Sequence, residues 1–172
     1  MKRKNITLIG AIIVPLLVGC SSAPIVLNSV GPPPFGNASY CGRGFLRVFT
    51  AVDTCVMGEN TYYYPHTGYS IYTESGKLWK YIPNHTANVD ETPAWVTIPA
   101  GKYLVKADAN FDVWGTVAYP VTVPVVIQED QTTELHLDAN WKAPANASTN
   151  ELVYLPSGKA VGWRASSADS VN

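Results

Sequence analysis

The sequence has no basic excess. Its 12 Lys and Arg stand against 13 Asp and Glu. A nucleic-acid binder needs a cationic face to neutralise phosphates, so nucleic acid is not expected as a partner. Histidine is scarce too. His66, His85 and His136 are far apart, with no H-E-x-x-H and no Cys or acid at ligand spacing around them, which leaves no metal motif. Asp108, Asn110 and Asp112 space oxygens like the start of a calcium loop. Val113 stands where that loop needs Gly, however, and Tyr119 where it needs a bidentate Glu, so a turn with Asx hydrogen bonds is expected instead. G-x-S-x-G, S-x-x-K and phosphate-cradling Gly-rich loops are missing, and Gly42-Arg43-Gly44 lacks both the third Gly and a following helix. Asp90-Glu91 and Glu129-Asp130 are sequence neighbours, which strand geometry sends to opposite faces, so neither pair makes an acid and a base. The expectation is a protein that is not an enzyme and carries no cofactor.

Helix formers are also sparse. Val, Thr, Tyr and Trp are plentiful instead, and 13 Pro and 13 Gly punctuate the chain, which favours short strands and many turns. The chain has 172 residues; without an N-terminal segment of 19 it has 153, enough for one core.

That segment holds Lys2-Arg3-Lys4, an apolar run over residues 6–18, and Leu17-Val18-Gly19-Cys20. Its plan is that of an export signal, and the apolar run is short for a membrane span. Leu-x-Gly-Cys resembles the lipobox of bacterial lipoproteins. The resemblance implies cleavage before Cys20, diacylglycerol on its sulfur and an acyl group such as palmitate on its new amino terminus. It implies attachment to the membrane through that lipid. The alternative is an ordinary secretory signal with a chance Cys. Ser21 and Ser22 follow, with no Asp to resemble an inner-membrane retention signal, so the expected address is the bacterial cell envelope, at the outer membrane. Loss of the three signal-segment cations leaves nine basic residues against 13 acidic ones, a net charge of −4. Residues 20–39, with Pro32-Pro33-Pro34 and neighbouring Gly31 and Gly36, read as a flexible tether.

With Cys20 assigned to lipid, Cys41 and Cys55 remain, 13 residues apart in the chain interval between them. An oxidising compartment favours a disulfide, worth about 3 kcal/mol for a loop of this size. The other option, a redox or metal pair, lacks a C-x-x-C motif or an adjacent His.

Alternation marks the strands of the globular part. Residues 45–52 form the first strand, with Leu46, Val48, Thr50 and Val52 on one face. Residues 53–67 read as a long loop containing Tyr62-Tyr63-Tyr64, and long loops are places to look for function. Residues 69–73 and 77–82 flank Glu74-Ser75-Gly76 as a hairpin. Residues 96–107 read as two antiparallel strands joined at Pro99-Ala100-Gly101, with Val105 the best core candidate, and residues 121–137 as a second such unit turning at Glu129-Asp130-Gln131. His136, alternating with Leu135 and Leu137, is placed on an outer strand face. A final hairpin turns at Pro156-Ser157-Gly158. The organisation expected is a β-sandwich over residues 40–141 and a C-terminal hairpin and tail over 142–172.

From Phe45 to Asp138 this order of elements, with Pro99-Ala-Gly-Lys-Tyr-Leu-Val-Lys-Ala107 at its centre, resembles the carboxypeptidase regulatory-like, or prealbumin-like, β-sandwich. The resemblance implies an antiparallel sandwich of about seven strands and a non-catalytic accessory or binding role, the fold saying little about the ligand.

Ten Tyr and five Trp exceed what one sandwich core needs, and such rings suit half-wet surfaces. The preferred reading is a non-enzymatic, lipid-anchored envelope protein acting as an interaction or structural module, with an envelope protein as partner. The alternative is binding of a glycan or peptidoglycan fragment in the 62–81 region, where Tyr62, Tyr63, Tyr64, Tyr69 and Trp79 could stack on sugar faces. Against that, Tyr and Trp commonly fill sheets and cross-strand pairs. A hydrolase built on His66, His85 and Asp90 is the remaining option.

Overall fold

The period-two patterns become strands. The computed structural model describes residues 24–34, 42–57, 60–84, 92–110 and 117–166, with the main chain alone for 53–57 and 60–65. In chain order the strands are β1 (Ile25–Val26), β2 (Val30–Gly31), β3 (Arg43–Phe49), β4 (Val52–Met57), β5 (Asn60–His66), β6 (Tyr69–Thr73), β7 (Leu78–Ile82), β8 (Trp95–Pro99), β9 (Gly101–Asn110), β10 (Ala118–Ile127), β11 (Thr132–His136), β12 (Leu152–Tyr154) and β13 (Ala160–Arg164). The only helical element among the described residues is a 3-10 turn, Thr149–Glu151, closed by a capping box between Ser148 and Glu151. Among the described residues the chain is all-β, in thirteen strand segments where the resemblance implied about seven.

Two sheets share one core. The larger runs β12-β13-β2-β10-β9-β6-β7, with β1 also beside β10; the smaller is β11-β3-β8; β4 and β5 pair as a separate ribbon. Alternate residues of β9 and β10, among them Val105, Ala107, Val121 and Val123, are buried together with Leu46 and Val48 of β3, Val96 and Ile98 of β8 and Leu135 of β11. Each of these Val, Leu and Ile side chains contributes about 1.5–3 kcal/mol by leaving water. Val105 is fully buried, as its alternation predicts.

The connections differ from expectation in an instructive way. β8 and β9 do not pair with each other: β8 pairs antiparallel with β3, and β9 with β10 and β6. Pro99-Ala100-Gly101 is therefore a crossing from one sheet to the other. Ala100 N–H donates to the Gly42 carbonyl and the Tyr103 hydroxyl to the Pro99 carbonyl, both at 3.0 Å. The second expected unit is also a crossing, because β11 runs parallel to β3, Leu135 lying opposite Val48. Here Thr133 Oγ1 donates to the Val126 carbonyl at 2.7 Å, and Asp130 N–H to the Arg43 carbonyl at 2.9 Å.

Three further expectations change. Residues 52–57 and 60–66, which the sequence reads as the end of a strand and a long loop, form β4 and β5, paired antiparallel with Met57 opposite Asn60. Residues 24–34, assigned to a flexible tether, supply β1 and β2, which run parallel beside β10 with Val26 opposite Thr122 and Val30 opposite Val125. The C-terminal hairpin forms as predicted but is continuous with the large sheet, since β13 pairs with β2. The β6–β7 hairpin is where the sequence placed it. The export segment with Cys20, and Cys41, lie outside the described residues, and Cys55 is on β4 opposite Tyr62 with its side chain outside them.

Candidate functional site

The outer face of the small sheet gathers its chemistry by register. β3 alternates, burying Gly44, Leu46 and Val48 and turning Phe45, Arg47 and Phe49 outward. Parallel pairing with β11 sets Glu134 beside Arg47 and His136 beside Phe49, and antiparallel pairing with β8 sets Trp95 beside Arg47. Side chains opposite one another on a sheet are within contact distance, and a continuous column results. The Arg47 guanidinium lies 5.1 Å from the Trp95 ring centre and 4.8 Å from that of Phe49. Phe49 stacks on His136 at 4.3 Å, and His136 on Trp141 at 4.9 Å with the rings within 4° of parallel. Trp163 of β13 meets Trp141 edge-on at 6.5 Å. Trp95 is 56% exposed at one end of the column. At the other end a cavity of about 140 Å³ opens between Pro33, Thr132, Glu134, His136, Trp141 and Trp163.

Charge in this column is arranged around a neutral imidazole. Burial pushes the His136 pKa down to about 4, helped by the nearby Arg47 and His66 charges. Glu134 Oε2, 3.5 Å from His136 Nε2, favours the protonated ring. That carboxylate is 41% exposed, however, and also faces Arg47 at 3.7 Å, so solvent and the guanidinium weaken its pull and burial prevails. An uncharged ring between two aromatic faces, with a guanidinium and a carboxylate at its flank, suits recognition of flat or amphipathic groups.

His136 is on the outer strand face, where its alternation placed it, but Trp141 stacks over it and leaves it 7% exposed. The other histidine within the described residues is structural: His66 is buried, and its Nδ1–H donates to the Thr50 carbonyl at 2.7 Å. His85 and Asp90 lie outside the described residues, as does Asp112. Asp108 and Asn110 are strand residues, in place of the expected turn. Among the described residues no three His, Cys, Asp or Glu side chains gather to hold a metal, and no helix is long and apolar enough to cross a membrane.

Two of the five rings of the expected sugar platform, Tyr69 and Trp79, have described side chains. Tyr69 is 1% exposed and belongs to the core, burial raising its phenol pKa. Trp79 is half-buried against that core, edge-on to Tyr103 at 6.2 Å. Tyr62, Tyr63 and Tyr64 follow one another on β5, with side chains outside the described residues. Sequence reasoning missed Arg47, Phe49, Trp95 and Trp141 as a group. The outward alternation of β3 is visible in the sequence, but the local pattern puts its neighbours β8 and β11 in hairpins of their own. Comparison of the chain with family models, with curated proteins and with solved structures gives no match.

Proposed function

We propose that this chain is a non-enzymatic lipoprotein of the bacterial envelope, held at the outer membrane through lipid on Cys20, and that its sandwich-like body is an interaction module. The Leu17-Val18-Gly19-Cys20 motif supports the anchor, and the crossing at Pro99-Ala100-Gly101 between two sheets is compatible with a carboxypeptidase regulatory-like, prealbumin-like fold. The observation that carries the interaction reading is the Trp95–Arg47–Phe49–His136–Trp141 column, where a largely exposed indole and a guanidinium stand on a rigid stack. Partner surfaces are commonly anchored by Trp and Arg of this kind. The fitting partner is another envelope protein. A glycan site built from the 62–81 region has less support, because Tyr69 is in the core.

Two measurements test this. Intact mass of the membrane-bound protein is expected to show acyl chains on Cys20, and Cys20→Ala to block that processing. A photo-crosslinking residue in place of Trp95 is expected to give a discrete protein adduct in the native envelope, lost with Arg47→Ala in the same chain. An acylated protein without such an adduct would remove the interaction face and leave the anchor standing.

A further inference from the structure

The outer face of the large sheet carries one row of side chains in register across five strands. Val26 of β1 lies opposite Thr122 of β10, Thr122 opposite Lys106 of β9, Lys106 opposite Ser70 of β6, and Ser70 opposite Tyr81 of β7. The row is apolar at both ends, with Val26 68% and Tyr81 58% exposed, and polar between them. A groove of about 340 Å³ follows it, lined by Pro24, Ser70, Tyr81, Lys106, Asp108 and Pro120. Lys106 and Asp108 are two residues apart on the same face of β9 and so offer a cation beside an anion. The Lys106 ammonium stands 4.5 Å above the Tyr72 ring, which holds it on this face.

Chain length decides what this face meets. Pro24 lines the groove and β1 is paired from Ile25, so only four residues of chain separate Cys20 from the sheet. Extended, the five steps from Cys20 to Ile25 span at most about 18 Å. A domain on so short a leash cannot swing clear of the surface that holds its lipid. We infer that the Val26–Tyr81 face of the large sheet docks on the phospholipid surface beside the Cys20 anchor, its Lys106 and Asp108 receiving a zwitterionic headgroup. The inference rests on the lipid-anchor reading. In that position Lys106 pairs with headgroup phosphate and Asp108 with headgroup ammonium. Tyr81 has the apolar body and polar tip that settle at headgroup level, and Val26 adds apolar contact. The aromatic column of the small sheet, on the other side of the core, is then left open to a partner.

Hydroxyl-radical footprinting read residue by residue tests the docking. The lipidated full protein, its acyl mass verified first, is bound to vesicles of phosphatidylethanolamine and phosphatidylglycerol. It is compared with the same mature chain exported through an ordinary secretory signal with Cys20→Ala, which carries no lipid. Oxidation of Tyr81 and Val26 is expected to fall several-fold on vesicles, with Trp95 unchanged as the internal control. With the protein acylated and bound, equal oxidation of Tyr81 in both samples would overturn the docking while keeping the anchor. Protection of Tyr81 in the unlipidated chain by soluble envelope polysaccharide, without protection on vesicles, would give the groove to a glycan and overturn it as well. Absence of acyl mass would overturn the anchor reading and the docking with it.

Discussion

The side chain of Asn110 pairs with the main chain of Val52 as a neighbouring strand would: its Oδ1 accepts from Val52 N–H at 2.9 Å and its Nδ2 donates to the Val52 carbonyl at 3.3 Å. This happens where the chain leaves β3 and starts β4. Ala51 N–H donates to the Asp108 carbonyl at 2.8 Å, and Asn110 N–H to the Leu137 carbonyl at 2.8 Å. The end of β9 is thereby tied to the exit of β3 and to the end of β11. An amide suits the position because it offers a donor and an acceptor at once.

Asn110→Leu keeps the volume but leaves both Val52 groups without their partners. Unsatisfied buried polar groups cost about 1–3 kcal/mol each, so a clear drop in the urea midpoint is expected. Asn110→Asp retains the acceptor and loses the donor. It also buries a carboxylate against the Val52 carbonyl, so it too is expected to unfold below wild type, and equal midpoints for all three would show that the pairing contributes nothing.

Asn84 combines two demands. It is 1% exposed with a φ of 69°. Its Nδ2 lies 2.9 Å from both the Val48 carbonyl and Thr50 Oγ1, and Ala94 N–H donates to its Oδ1 at 3.3 Å. Asn84→Gly suits the left-handed backbone but loses every side-chain bond, whereas Asn84→Ala loses the bonds and carries a left-handed cost of roughly 1–2 kcal/mol besides. Both variants are expected to unfold at lower denaturant than wild type, Ala lower than Gly. A reversed order of the two would refute the backbone argument.

Much of this architecture was legible locally, and the two misread reversals share one cause. The β6–β7 and β12–β13 hairpins follow from turn residues between alternating runs. The same signature preceded β9 and β11, yet there the chain crosses between sheets. A tight reversal between two half-buried strands has the same period whether the strands pair edge to edge or face one another across the core. Residues 24–34 failed differently: two-residue strands are too short to show any period, and they exist because β10 offers them an edge. The candidate site depends on both points. Arg47 could be placed on an outer face, but its neighbours Trp95 and Glu134 come from strands whose sheet the sequence left open.

His136 makes stability sensitive to acid. The unfolded imidazole takes up a proton near its ordinary value of 6.5, and the folded one holds off until about 4. Between those values the unfolded state binds more protons. The contribution is therefore complete above pH 6.5 and is lost as the pH falls toward 4, with a slope of at most about 1.4 kcal/mol per pH unit. His136→Phe preserves a ring between Phe49 and Trp141 and removes the titration. Denaturation across this range is expected to show a flatter pH profile for the variant, and NMR titration of the wild-type ring checks the cause directly.

Gly101 and Val105 test the crossing from β8 into β9. Gly101 has a φ of 151°, a backbone that L side chains rarely adopt, while a Cβ there would meet only ordinary contacts, the nearest being Tyr103 Cε2 at 3.7 Å. The demand for glycine is therefore conformational rather than steric. Gly101→Val is expected to cost about 1–3 kcal/mol through backbone strain, and Gly101→Ala to recover little of it, since the smaller side chain relieves no clash. A steric cause would give the opposite pattern, with Ala close to wild type. Four residues on, Val105 is fully buried opposite Val123 of β10 and Ile71 of β6. Truncation to Ala removes buried methyl groups and leaves a small cavity, an expected loss of about 1–3 kcal/mol. Gly101 sets the direction in which β9 leaves the crossing, and Val105 is fixed by the strands on either side. The two changes are therefore expected to add in the double variant, as separate sites do. A strongly non-additive double variant, measured by urea unfolding, would mean that the crossing positions the core of β9 rather than merely delivering the chain to it.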